Sequence, residues 1–108
     1  MAKYFFIVET NCTDPMREKE FNDWYDKIHL PDVAETPVLV KATRYEITEP
    51  AAGKGKFLAI YEIECKDPNA WIAALSENMK TKGAQGRMSP LLSATSRAVY
   101  KQITSFPK

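Results

Sequence analysis

Phe57-Leu58-Ala59-Ile60-Tyr61-Glu62-Ile63-Glu64-Cys65, followed at once by Lys66-Asp67-Pro68-Asn69-Ala70-Trp71-Ile72, decides the fold. In the first part Phe57, Ala59, Tyr61, Ile63 and Cys65 share one face of a strand, and Leu58, Ile60, Glu62 and Glu64 share the other. Asp67 before Pro68 is the signature of an N-cap and first helical residue, so a helix opens there through Trp71, Ile72, Leu75 and Met79. The same succession stands at the other end of the chain. Lys3 to Thr10, rich in aromatic and β-branched residues, reads as a strand buried on both faces. Asn11 to Pro15 is a turn whose Asp14-Pro15 opens a helix running to about His29, where Pro31 forces the backbone out of helix. Phe21, Trp24, Tyr25 and Ile28 form its apolar face.

Between the two units, Val38 to Ile47 reads as a second strand, and the loop Pro50-Ala51-Ala52-Gly53-Lys54-Gly55 turns it back against Phe57–Cys65 as an antiparallel hairpin. Lys80 to Pro90, with Gly83 and Gly86, ends the second helix, and Ser96 to Ile103 is the last strand. The order β-α-β-β-α-β predicts a ferredoxin-like α+β fold, a four-stranded antiparallel sheet with two helices on one face. Tyr4, Phe6 and Val8 point one way from the first strand and Phe5 and Ile7 the other, and Leu58 and Ile60 lie opposite the aromatic face of the third strand, so one apolar sheet face is left without helices. A second sheet from an identical chain is its simplest cover, so a homodimer is expected.

One domain spanning 1–108 is expected from 108 residues. Fifteen basic and fourteen acidic residues leave a formal net charge of +1, without the basic excess of a nucleic-acid binder. No run of apolar residues is long enough to span a membrane, and no signal segment precedes the first strand; nucleic acid and membrane are therefore not expected partners, and a cytoplasmic location is. Cys12 and Cys65 are too few for a disulfide scaffold and fall at opposite ends of the sheet. One histidine and no CxxC exclude a histidine-rich metal cluster, and Gly53-Lys54-Gly55 lacks the spacing of a dinucleotide site.

The run Phe21-x-x-Trp24-Tyr25-x-x-x-His29-Leu30-Pro31-Asp32-Val33, with Pro37 and then Ala42-Thr43-Arg44-Tyr45 on the next strand, resembles the EthD-like group of dimeric α+β barrel proteins. That group usually has glycine after the proline where this chain has Val38. The resemblance implies a homodimer of face-to-face sheets, each subunit holding a small-molecule pocket between sheet and helices, in many cases without metal or bound cofactor. Across the wider superfamily the fold serves cyclases, isomerases, haem-degrading and quinol monooxygenases, so it does not name the reaction.

His29, the only histidine, leads the candidates for chemistry, because imidazole alone exchanges a proton near neutrality without a large shift. The alternative is a helix-end cation complementing the dipole. Asp32 either orients His29 or caps the next turn, and Asp26 is a second candidate carboxylate. Tyr25 either polarises a substrate carbonyl or is a core aromatic, an ambiguity shared by Tyr61 and Tyr100. Trp24, Arg44, Tyr45, Tyr61 and Glu62 are candidate substrate contacts, although Arg44 and Tyr45 must face opposite sides of the sheet. Glu62 and Glu64 either divide acid and base work or pair with Arg97 or Lys101 across a dimer. The expectation is cofactor-independent proton transfer (isomerisation, cyclisation or dehydration) on a small hydrophobic carbonyl or aromatic compound, with His29, Asp32 and Tyr25 catalytic and no metal. A non-catalytic binding protein is the second reading. A haem-degrading or quinol monooxygenase, with His29 as haem ligand in the former, is the third.

Overall fold

The computed structural model describes residues 2–107. Four strands, β1 (Ala2–Cys12), β2 (Leu39–Glu46), β3 (Phe57–Cys65) and β4 (Leu92–Lys101), form one antiparallel sheet in the order β2-β3-β1-β4. The first crossover is a nearly continuous helix: a 3-10 turn (Pro15–Arg17), α1 (Glu18–Trp24), a π-helical segment (Tyr25–His29) and α2 (Leu30–Val33). The second is α3 (Pro68–Ala84). The expected β-α-β-β-α-β arrangement is therefore present.

Both aspartate caps form as the sequence predicts. Asp14 accepts from the Met16 N–H and Asp67 from the Asn69 N–H, each at 3.0 Å, and a proline follows each cap. The strand faces follow from register. Phe6 lies opposite Tyr61, Val8 opposite Ala59 and Arg44 opposite Ala59 on its other side, so these point together toward the helices. Phe21, Tyr25, Val33 and Trp71 cover that face, with Trp71 edge-on to Phe6 at 5.7 Å between ring centres. The other face holds half-buried Phe5, Ile7, Leu58 and Ile60, and exposed Tyr45 and Tyr100, with no helix of this chain over it. Among the described residues no helix is long and apolar enough to cross a membrane. Cys12 and Cys65 are unpaired and lie at opposite ends of the sheet.

Strand ends shift by a residue or two (β1 extends to Cys12 and β4 stops at Lys101), and three departures from the sequence reading are larger. The first helix does not end at His29 but runs through Pro31 to Val33, so His29 is inside a helix rather than at its end. The reason is the π-helical segment. The Leu30 N–H bonds the Tyr25 carbonyl five residues back, and this longer turn opens the ladder where Pro31 has no N–H to donate and its ring needs room. It also shifts the inward face: Tyr25 and His29 are buried, while Ile28 is only half-buried. The second helix passes Lys80 and Gly83 and stops at Gly86, whose φ of 73° suits a C-terminal glycine, with the Arg87 N–H closing on the Lys82 carbonyl at 2.9 Å. β4 begins at Leu92 rather than Ser96, because Cys12 and Thr10 extend the pairing of β1 to Leu92 and Ala94.

Candidate active site

Between α3, the π-helical segment and the sheet lies a cavity of about 750 Å³, whose lining runs from buried Tyr25, His29 and Tyr61 out to exposed Lys80 on α3 and Arg97 on the edge strand β4. Its walls are mostly apolar: Phe6 and Val8 from β1, Ile72, Leu75 and Met79 from α3, Leu92 from β4. The polar groups deepest in it are His29, Tyr25 and Tyr61. Tyr25 and His29 come from consecutive turns of one helix, and Tyr61 reaches them from the centre of β3.

The two phenol oxygens are 3.1 Å apart, so one hydroxyl donates to the other and one O–H stays free for a bound molecule. Burial pushes both phenols above their ordinary range. For Tyr25 this is partly offset by the bond to Tyr61 and by the charges of Arg44 and Arg97. The His29 ring stacks on Trp24, 4.7 Å between centres and 21° between planes, and stands edge-on to Tyr25 at 4.8 Å. Burial brings its pKa from 6.5 to about 4. The carboxylate of Asp32 pulls the other way without cancelling this, and Arg44 adds to the lowering. The sequence-level picture of an imidazole titrating near neutrality is thereby corrected: at pH 7 His29 is a neutral free base.

Of the expected site residues, Tyr25, His29 and Tyr61 converge on the cavity and the others do not. Asp32 is buried beside His29, but both its oxygens accept from Arg87, at 2.8 and 2.9 Å, which holds its carboxyl below the usual range. It acts on His29 only through its charge. Asp26 is likewise taken by Arg44 at 2.9 Å. Trp24 stands behind His29 and donates its indole N–H to the Arg87 carbonyl at 2.8 Å. Arg44 reaches the helix layer but not the cavity; its guanidinium lies 4.1 Å above the Tyr25 ring, fixed by Asp26 and Asn22. Tyr45 and Glu62 belong to the helix-free face, opposite Leu58 and Phe5, and Glu62 lies 3.6 Å from Lys3.

Sequence reasoning did not assign Arg87, Arg97, or the lining residues of α3 to the site. The spacing of Ile72, Leu75 and Met79 marks an apolar helix face, but such a face reads equally as core or as cavity wall. Further polar links hold α2 and the turn after it against α3: Asn78 donates to the Asp32 carbonyl at 2.8 Å and to Thr36 at 3.0 Å, and buried Lys82 pairs with Glu35 at 2.8 Å. The cavity contributes one imidazole and no thiolate or carboxylate, and among the described residues no group of three histidine, cysteine or acidic side chains could hold a metal ion.

No protein-family model and no curated protein sequence matches the chain. Solved structures do. SnoaB from Streptomyces nogalater, a cofactor-independent oxygenase, aligns with a TM-score of 0.69 at 14% identity over 100% of both chains. HapK from Hahella chejuensis aligns at 0.67 with 15% identity over 94% of each chain. A dimeric ferredoxin-like protein from an uncultured marine organism aligns at 0.67 with 11% identity, over 97% of this chain and 99% of that one. At these identities the likeness shows the fold, and the chain has the ferredoxin-like α+β architecture on which dimeric α+β barrels are built.

Proposed function

We propose that the protein is a cofactor-independent enzyme moving a proton on a small hydrophobic carbonyl or aromatic compound, with His29 as base and the Tyr25–Tyr61 hydroxyl pair as hydrogen donor to the substrate oxygen. The observation that carries this reading is the meeting of a neutral buried imidazole and a phenol pair with one free O–H in a single apolar cavity. His29 removes a proton from carbon while a tyrosine hydroxyl donates to the carbonyl oxygen, so negative charge need not build up fully in an apolar site. The imidazolium, a strong acid at a pKa of about 4, then returns the proton at the same or another carbon. So weak a base selects substrates whose C–H is already acidified by both a carbonyl and an aromatic ring.

The test is isotope exchange. With β-tetralone in heavy water, the purified protein is expected to accelerate loss of the benzylic α-proton signal by NMR above the buffer rate; exchange at the buffer rate would count against proton abstraction. A second reading, favoured by the likeness to SnoaB, is cofactor-independent oxygenation, in which the same deprotonated carbon reacts with dioxygen. It shares the first step and adds dioxygen uptake, measurable with an oxygen electrode.

The motif over residues 21–45 supports placement in the EthD-like group. It also supports assembly as a homodimer, with the Phe5, Ile7, Leu58 and Ile60 face covered by a second copy. Light scattering at low micromolar concentration, where a stable interface of standard size holds, is expected to give a dimer mass; a monodisperse monomer would remove the barrel arrangement.

A further inference from the structure

We infer that the occupant of the cavity is an organic acid, its carboxylate held by Arg97 at the mouth and its apolar body lying between α3 and the sheet toward His29 and Tyr25. The inference rests on the small-molecule reading above and deepens it by naming a substrate class. Its basis is a charge asymmetry. Among the residues lining the cavity the ionisable ones are Tyr25, His29, Tyr61, Lys80 and Arg97, and none is acidic. The whole chain is nearly neutral, so a wall with cations and no carboxylate is a local property.

Arg97 is singled out by comparison with the other arginines. Arg17 pairs with Glu20, Arg44 with Asp26 and Arg87 with Asp32. Arg97 has no acidic partner within ion-pair distance among the described residues. It sits on the edge strand opposite Val8, which places it on the helix-facing side, and as an exposed lining residue it stands at the solvent end of the cavity. Lys80, across the mouth on α3, reaches only Glu77, at 3.8 Å on an exposed helix face, so it adds charge without geometry. The guanidinium offers a planar fork suited to a carboxylate, while most of the remaining lining, Phe6, Val8, Ile72, Leu75, Met79 and Leu92 among it, offers apolar contact. Its charge also reaches the Tyr25 hydroxyl, which ties the mouth electrically to the inner end.

The experiment compares β-naphthoate with its neutral isostere β-naphthamide by isothermal titration calorimetry at low salt. Wild-type protein is expected to bind the acid more tightly than the amide, and Arg97→Gln to weaken the acid by roughly threefold to tenfold while leaving the amide unchanged. Added salt weakens the acid alone. Lys101→Gln, on the same face of β4 outside the cavity, leaves both affinities as they are. Equal binding of acid and amide by the wild type, or equal loss of both in Arg97→Gln, overturns the anion site while leaving the small-molecule reading intact. Binding of neither overturns both.

Discussion

Turnover by His29→Asn falls by roughly 100-fold or more, the scale of general acid–base catalysis, while affinity for a bound aromatic acid or ketone stays near that of the wild type. Asparagine keeps a polar side chain at the inner end of the cavity but cannot take a proton from carbon. The check is single-turnover kinetics beside calorimetry on the same preparation. If affinity falls and the rate per bound molecule holds, His29 is a binding group and the second reading of the sequence, a ligand-binding protein, gains. If neither changes, the chemistry belongs to Tyr25 and Tyr61 alone. The pH profile separates these further. Because burial lowers the His29 pKa to about 4, wild-type kcat/KM is expected to hold through pH 6 and fall only as pH drops toward that value. A limb at 6.5 would mean that the imidazole is solvated during the reaction.

The same burial makes folding sensitive to acid. In the unfolded chain the imidazole takes up a proton as pH falls through 6.5, whereas in the folded chain it does so only near 4. Between these values the unfolded state binds more protons, so stability is complete above 6.5 and is lost as pH descends to about 4. The loss from this group amounts to about 3 kcal/mol, a large share of the margin of a small domain. Asp32, whose carboxyl is held low by Arg87, adds a loss of the same sign at still lower pH. Urea unfolding at pH 7 and pH 4 should show wild type losing about 3 kcal/mol more than His29→Asn across the interval. Parallel losses would show that His29 does not change its protonation cost on folding.

Much of the fold was legible because its signals are local. Aspartate-proline caps at 14–15 and 67–68 start both helices in the structure, and the alternation of Phe57 to Cys65 gives the correct inward face of β3. The helix ends were less legible. Proline predicts a break only when the ladder keeps its usual pitch, and the π-helical segment that carries the chain past Pro31 has no residue signature of its own.

For the site, the motif led to His29 and Tyr25, and a central strand position led to Tyr61. What could not be read was which charges neutralise which. Asp32 is three residues from His29 in sequence, a reachable distance on a helix, yet its partner is Arg87, 55 residues away. Strand alternation does show that Arg44 and Tyr45 part company, but not which of them faces the helices; register against Ala59 and Leu58 settles it. Arg97 is one basic residue among fifteen in the sequence and becomes distinctive only when the other arginines are seen to be paired.

The π-helical turn also bears on how this protein tolerates change. Tyr25 and His29 occupy the part of the helix where backbone hydrogen bonds are offset and proline leaves a gap, so the ladder gives them little rigidity of its own. Their positions depend instead on rings: Phe21 edge-on to Tyr25, Trp24 flat on His29, the Arg44 guanidinium over Tyr25. Phe21 and Tyr25 also pack on Phe57 and Tyr61 of β3, whereas Trp24 lies outside the fully buried core. Phe21 is fully buried and cannot change without cost to the fold, but Trp24 is only half-buried, so a change there is the one expected to shift His29 in a chain that still folds.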